Sequence, residues 1–187
     1  MSKKEKIHYV NNQEFLEALI TYKKKCDEAK EAGKPEPKIP DYIGMCFWKI
    51  AEGLSMSPNF IGYSYREEMV YDGVENCLMY FRNFDPEKTN SAFSYFTQII
   101  WYAFLRRISK EKKQQYIKYK MLTMSGLLDD IYQEDAEHFN DDSGLQTKEV
   151  YDNMYEFISE FERKEKEKKA KKNSAKSPTG VEKFLED

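Results

Sequence analysis

Glycine and histidine are scarce in this chain, with 8 and 2 among 187 residues, and nowhere do Val, Ile and Thr alternate with polar residues for long. Strands need that period-two pattern, so the chain reads as all-helical. The three cysteines, Cys26, Cys46 and Cys77, are odd in number and lack CxxC spacing. With only His8 and His138 beside them they argue against a zinc site or a disulfide framework, and neither a metal nor a cofactor is expected. No run approaches the ~18 consecutive apolar residues of a membrane span. No apolar stretch with a cleavage site follows Met1, so the expectation is a cytosolic protein with no membrane partner. There is no Gly-rich phosphate loop, no HExxH, and no Ser/His/Asp order that two histidines could serve. The chain is not expected to be an enzyme.

What is present is charge, and it is segregated. Charged residues make up 34% of the chain and apolar residues 40%, with a formal net charge of −3. Residues 105–120 carry seven basic side chains against Glu111 alone, whereas residues 129–142 carry seven acidic ones and no Lys or Arg. The net charge argues against indiscriminate binding to polyanions, yet a local basic patch can still contact DNA.

Apolar spacing and breakers divide the chain. A first helix is expected over residues 12–32, capped by Asn11 or Asn12, with Phe15, Leu16, Leu19 and Ile20 inward. KPEPKIP, residues 34–40, holds three prolines and must be a linker. A second helix follows over 41–54, with Ile43, Phe47, Ile50, Ala51 and Leu54 facing the core. The third, over 65–83, has the apolar stripe Val70, Val74, Cys77, Leu78 and Phe81. Pro86 in NFDPEKTN biases Asp85 away from helix. Asn90 or Ser91 can then cap a fourth helix over 91–120. Residues 129–144 read as a mobile acidic connector, 147–172 as a charged amphipathic helix, and 173–180 as a linker to the final VEKFLED.

The fourth helix is aromatic around nearly its whole circumference and then abruptly basic. At 100° per residue, Trp101, Phe104, Leu105 and Ile108 should form the buried stripe, leaving Phe96, Ile99, Tyr102, Ala103, Arg106 and Arg107 on the opposing arc. Burial of both arcs is the blander alternative. Arg106 and Arg107, however, cannot be buried unpaired without a large desolvation cost. Aromatic faces that stack on unpaired bases, next to cations that hold the backbone, are what a single-strand grip requires. The third helix opposes its apolar face with Glu68, Asp72 and Glu75 at i, i+4, i+7, which is either a solubilising face or a dock for a basic partner helix. VEKFLED sets Val181, Phe184 and Leu185 on a tether, free to anchor on a partner.

Residues 84–108 resemble the promoter-melting helix of bacterial sigma factors, whose pattern is a helix, then FD-P/Y, then FSxYA. Phe84, Asp85, Phe93, Ser94 and Phe96 occupy those places. The resemblance implies that Phe96 stacks on a base flipped from the duplex, and that Ala103 and Arg106 sit where upstream base pairs are read. Ile99 and Ile100 stand where the family usually carries a tryptophan pair. With the basic arc, the implied DNA-binding set is Phe93, Tyr95, Phe96, Ile99, Tyr102, Arg106, Arg107 and Lys110. Glu68, Tyr71, Asp72, Glu75 and Leu78 fall on the helix that, in the family, docks on the clamp coiled coil of the polymerase's largest subunit. Val181, Phe184 and Leu185 resemble peptides that enter the pocket of DNA sliding clamps.

In this order the three features resemble the late-transcription sigma factors of T4-like bacteriophages, across most of residues 9–113 and the last seven. The resemblance implies an all-α, sigma region 2-like domain over 1–120, an acidic connector and charged helix over 121–172, and a linker with a clamp-binding tail over 173–187. The implied partners are host bacterial core RNA polymerase, promoter DNA and a phage sliding clamp, in the cytoplasm of the infected host. A late-transcription co-activator is left open as a further partner. The protein would direct polymerase to a short AT-rich element and open it. The rival reading is a helical adaptor or co-activator of polymerase that does not touch DNA.

Overall fold

The computed structural model describes residues 9–89, 91–126 and 142–174. Among them there is no strand, and the protein is all-α. The elements are α1 (Asn12–Glu31), α2 (Asp41–Ser55), α3 (Arg66–Tyr80), a 3₁₀ turn (Phe81–Asn83), α4 (Ala92–Met124) and α5 (Asp142–Ser174). The chain divides at Lys110/Glu111 into two compact units, residues 1–110 and 111–187. The division comes ten residues before the expected boundary at 120. The reason is local: Tyr116 and Tyr119 pack on α5, with Tyr116 stacked on Phe161 at 4.5 Å and Tyr119 edge-on to Phe157 at 5.5 Å.

Helix ends follow local chemistry. Asn11 caps α1, its side-chain oxygen accepting from the Gln13 N–H at 3.0 Å. At the other end Gly33 adopts φ +64°. The Lys34 amide then reaches the Ala29 carbonyl and the Gly33 amide the Lys30 carbonyl, the paired bonds of a glycine-terminated helix. The proline-bearing segment 34–40 has no regular secondary structure and is held to α1 by the Tyr22 hydroxyl, which donates to the Pro37 carbonyl at 2.8 Å. Burial in the main pushes the Tyr22 phenol up to about 12, so it stays protonated as a donor.

The entry to α4 is fixed from two sides. Ser91 Oγ accepts from the Ser94 N–H, and the side chain of Asn12, from the start of α1, accepts from the Phe93 N–H at 3.0 Å. Two first-turn donors are thereby satisfied, one by a partner 81 positions away. Asn90, the other expected cap, lies outside the described residues, as do 129–141 of the acidic connector. The helix expected to begin at 147 already begins at Asp142, which takes residues 142–144 out of that connector. The NFDP turn before α4 is closed by Asp85, whose carboxylate accepts from the Glu87 N–H and pairs with Lys88 at 3.0 Å. The Lys88 bond first, and the Glu87 amide second, hold the Asp85 carboxyl below the usual carboxylate range. This contribution is present above the unfolded carboxyl's pKa and is lost as pH falls through the lower folded value.

The core of the first unit is aromatic. Phe15, Phe47, Phe60, Phe96 and Phe104 are fully buried together with Ile43, Ile50, Met69, Ile100 and Cys77. α3 turns Met69, Val70, Gly73 and Cys77 inward, so Leu78, expected in the apolar stripe, is instead 40% exposed. Gly73 permits the close approach of α3 and α4. A Cβ there would lie 2.9 Å from Ile100 Cγ2 and 3.1 Å from Phe104 Cε1, whereas one on Gly44 would meet nothing within 4 Å. Either Gly→Ala change gains roughly 1 kcal/mol of helix propensity. At Gly73 the crowding costs about 1–3 kcal/mol and outweighs it. Urea denaturation should therefore show Gly44→Ala with a raised midpoint and Gly73→Ala with a lowered one.

Candidate nucleic-acid interface

The expected DNA-binding residues all lie on the stretch of α4 in the first unit, but the core claims one side of it. Ala92, Phe96, Ile100, Ala103 and Phe104 are buried. Phe96 is fully inaccessible, packed against Phe47 at 4.7 Å, Tyr95 at 5.1 Å, Phe15 at 5.5 Å and Phe84 at 5.7 Å. This overturns the expectation that Phe96 stacks on a flipped base, because no base can reach a ring enclosed by four others. Ala103, placed on the open arc, is also buried, and Leu105, expected inside, is 40% exposed. The true buried stripe is rotated relative to the expected one because α1 and α2 supply Phe15 and Phe47 at the helix's first turns.

On the open side Ser94, Gln98, Tyr102, Leu105, Arg106, Ser109 and Lys110 are exposed. Phe93, Trp101 and Tyr102 line a shallow concavity of about 440 Å³ with Ser94, Thr97 and Gln98. Phe93 is supported from behind by Tyr9 at 6.0 Å, and Trp101 is anchored edge-on to Phe60 at 4.8 Å. Three aromatic side chains thus flank an open groove, with two cations further along the same helix. Tyr95 and Ile99 are half-buried, and Tyr95 leans on Phe84 at 5.1 Å. Trp101 was not among the expected contacts. Its spacing from Phe93 and Tyr102, eight and one residues away, is the signal that could have placed it beside them.

The two arginines have different surroundings. The Arg106 guanidinium donates to the Asn76 side-chain oxygen on α3 and remains exposed. Arg107 forms a two-pronged pair with Asp72, Nε to Oδ2 at 2.6 Å and Nη2 to Oδ1 at 2.7 Å, and both side chains are largely covered. A residue expected to hold DNA and one expected to meet polymerase are therefore bound to each other, since a partly buried cation is stabilised by the nearest carboxylate in fork geometry.

On α3 and α2 a second surface is open. Glu68, Glu75, Tyr71 and Leu78 are exposed. Tyr71 is 59% exposed and meets Trp48 of α2 edge-on at 5.6 Å. Trp48, Glu52, Met56, Arg66, Val70 and Tyr71 border a groove of about 220 Å³. Trp48 was missed because it falls outside the inward stripe of α2. Val181, Phe184 and Leu185 lie outside the described residues. Burial pushes the Cys46 and Cys77 thiols up, away from a reactive thiolate. No group of three or more His, Cys, Asp or Glu among the described residues could hold a metal ion. No helix among them is long and apolar enough to cross a membrane.

A scan against protein-family models found no match, and a search of curated proteins likewise found none.

Three substitutions test the structural roles assigned here. Phe96→Ala should lose about 3–5 kcal/mol of stability, as large-to-small changes at buried aromatics do. For the ion pair, Asp72→Ala and Arg107→Ala should each cost about 1–3 kcal/mol. The double variant should cost less than their sum, read as coupling in a urea-denaturation cycle.

Proposed function

We propose that this protein is a sigma-like transcription initiation factor of the late bacteriophage type. It directs a bacterial host's core RNA polymerase to a short AT-rich promoter element and takes part in opening it. The observation that carries the reading is the open face of α4, where Phe93, Trp101 and Tyr102 flank a groove and Arg106 and Lys110 remain exposed. Flat aromatic faces beside cations suit a melted strand, with bases stacked on the rings and phosphates at the cations. The FDP turn and the FSYF segment supply the resemblance. In this reading Phe96 is the strut under the site, and Tyr102, Phe93 and Trp101 take the stacking role.

The open surface on α3 and α2 supports a polymerase dock. It offers an aromatic pair, Trp48 and Tyr71, next to carboxylates at Glu68 and Glu75, a combination of apolar anchor and charge complementarity that suits a basic helix. Asp72 supports that dock only indirectly, by pairing with Arg107. The C-terminal Val181, Phe184 and Leu185 remain the proposed sliding-clamp anchor, which would supply a tether in place of an upstream promoter contact. The adaptor alternative also uses the Trp48–Tyr71 surface, but it assigns no role to the aromatic groove.

Tyr102→Ala should reduce open-complex formation on an AT-rich promoter by about 1–3 kcal/mol for the base that no longer stacks, and Arg106→Ala should reduce it through a lost phosphate contact. Permanganate reactivity of unpaired thymines in the complex with core polymerase measures it, and polymerase binding should be unchanged. Normal melting by both variants would favour the adaptor. Reversing Glu68 and Glu75 to lysine should weaken capture of core polymerase. Thermal stability should move little, since exposed substitutions stay within about 0.5 kcal/mol.

A further inference from the structure

The second unit is a helical hairpin with a cationic end. α4 beyond Lys110 runs antiparallel to α5, as the pairs Tyr116–Phe161 and Tyr119–Phe157 require. Met154 and Ile158 are buried along the α5 side, and Glu162 accepts from both Tyr116 and Lys120. This seam fixes which side chains of α5 stand beside which of α4. Seven of the twelve residues from 162 to 173 are Lys or Arg and three are Glu. The carboxylates are consumed internally: Glu160 pairs with Lys164, Glu162 with Lys120, Glu165 with Lys168 and Glu167 with Arg163. Lys112 and Lys113 from α4 reach the same end, because their charges are felt at Glu160 and Glu165 respectively. Lys112, Lys113, Lys166, Lys169 and Lys172 are exposed. They make no hydrogen bond or ion pair among the described residues.

We infer that this end of the hairpin, led by Lys166, Lys169 and Lys172, is a second, sequence-independent contact for the phosphate backbone of duplex DNA. The three lysines recur at i, i+3 and i+6 along one flank of α5 and span about 9 Å. A partner with dense, evenly spaced charge fits them, and duplex DNA carries a charge about every 1.7 Å of its axis. An anionic membrane fits less well, because a surface-lying helix needs an apolar face to insert, and the one apolar residue among 162–173 is Ala170. A folded acidic partner would need aromatic or aliphatic anchors, which this stretch also lacks. The inference stands apart from the promoter-opening reading, since neither the groove on α4 nor polymerase enters it.

The test uses the full chain without polymerase, and fluorescence anisotropy with a labelled 30-base-pair duplex lacking any AT-rich element, over a series of salt concentrations. Lys166→Ala/Lys169→Ala/Lys172→Ala should bind more weakly. Its slope of log affinity against log salt should be shallower by about 2–3, near 0.9 for each phosphate that is no longer neutralised. Circular dichroism should show its helicity unchanged. Lys24→Ala/Lys25→Ala/Lys38→Ala, removing three exposed cations of the first unit, should leave the slope as it was. A parent slope retained by the α5 variant would overturn the inference. So would an equal loss in the two variants, or tighter binding of the parent to phosphatidylserine vesicles than to the duplex.

Discussion

The burial of Phe96 is the constraint on which the first unit depends. Its ring is where α1, α2, the NFDP turn and α4 converge, through Phe15, Phe47 and Phe84. Aromatic pairs at such separations add roughly 0.5–1.5 kcal/mol each beyond the area they bury. Several meeting on one ring set the rotation of α4 about its own axis. Once Phe96 points inward, helical geometry also commits Ile100, Ala103 and Phe104 to the core, and it turns Gln98, Tyr102, Leu105 and Ser109 outward. The groove on the open face is therefore a consequence of the core. The Asn12 contact to the Phe93 amide reinforces the same orientation at the first turn.

Electrostatics add a second lock. Arg107 lies on the inward-turning edge of α4, where its charge is held in a two-pronged pair with Asp72. Breaking that pair in a partly covered site costs more than the pair itself contributes, so the two residues act as a registration device between α3 and α4. Gly73 works toward the same end by leaving room for Ile100 and Phe104. Glu68, Glu75, Arg106 and Lys110 stay at the surface, where charge is solvated and available to partners. The division of one basic run into a structural arginine and exposed cations is thus set by distance from the helix interface.

Much of the fold was legible in the sequence because its boundaries rest on local chemistry. Asn11, the prolines between 34 and 40, Pro86 and Ser91 each act within a few residues, and the helices began or ended where those residues require. The phase of α4 was not legible. A helix with aromatics on every side has no clear polar face, so periodicity cannot say which ring is inside; that is decided by Phe15 and Phe47, many residues away. Family resemblance placed Phe96 on the nucleic acid, and the packing places it in the core. Tyr102 follows from helical spacing and Arg106 and Lys110 from charge, and all three are exposed. Trp48 and Trp101 escaped because each was judged by its own helix, when its exposure depends on a neighbouring one. The early unit boundary escaped for a similar reason, since Tyr116 and Tyr119 look like a continuing helix until α5 is placed against them.

The claim that α4 has a structural face and a strand-binding face is tested most directly by site-specific photocrosslinking. A photoreactive group carried at position 102 in place of Tyr102, in a complex of full-length protein, core polymerase and AT-rich promoter, should crosslink to the melted DNA strand. The same group at position 71 should crosslink to polymerase and not to DNA. Crosslinks from position 102 to polymerase alone, with none to DNA on an opened promoter, would contradict the assignment of that face.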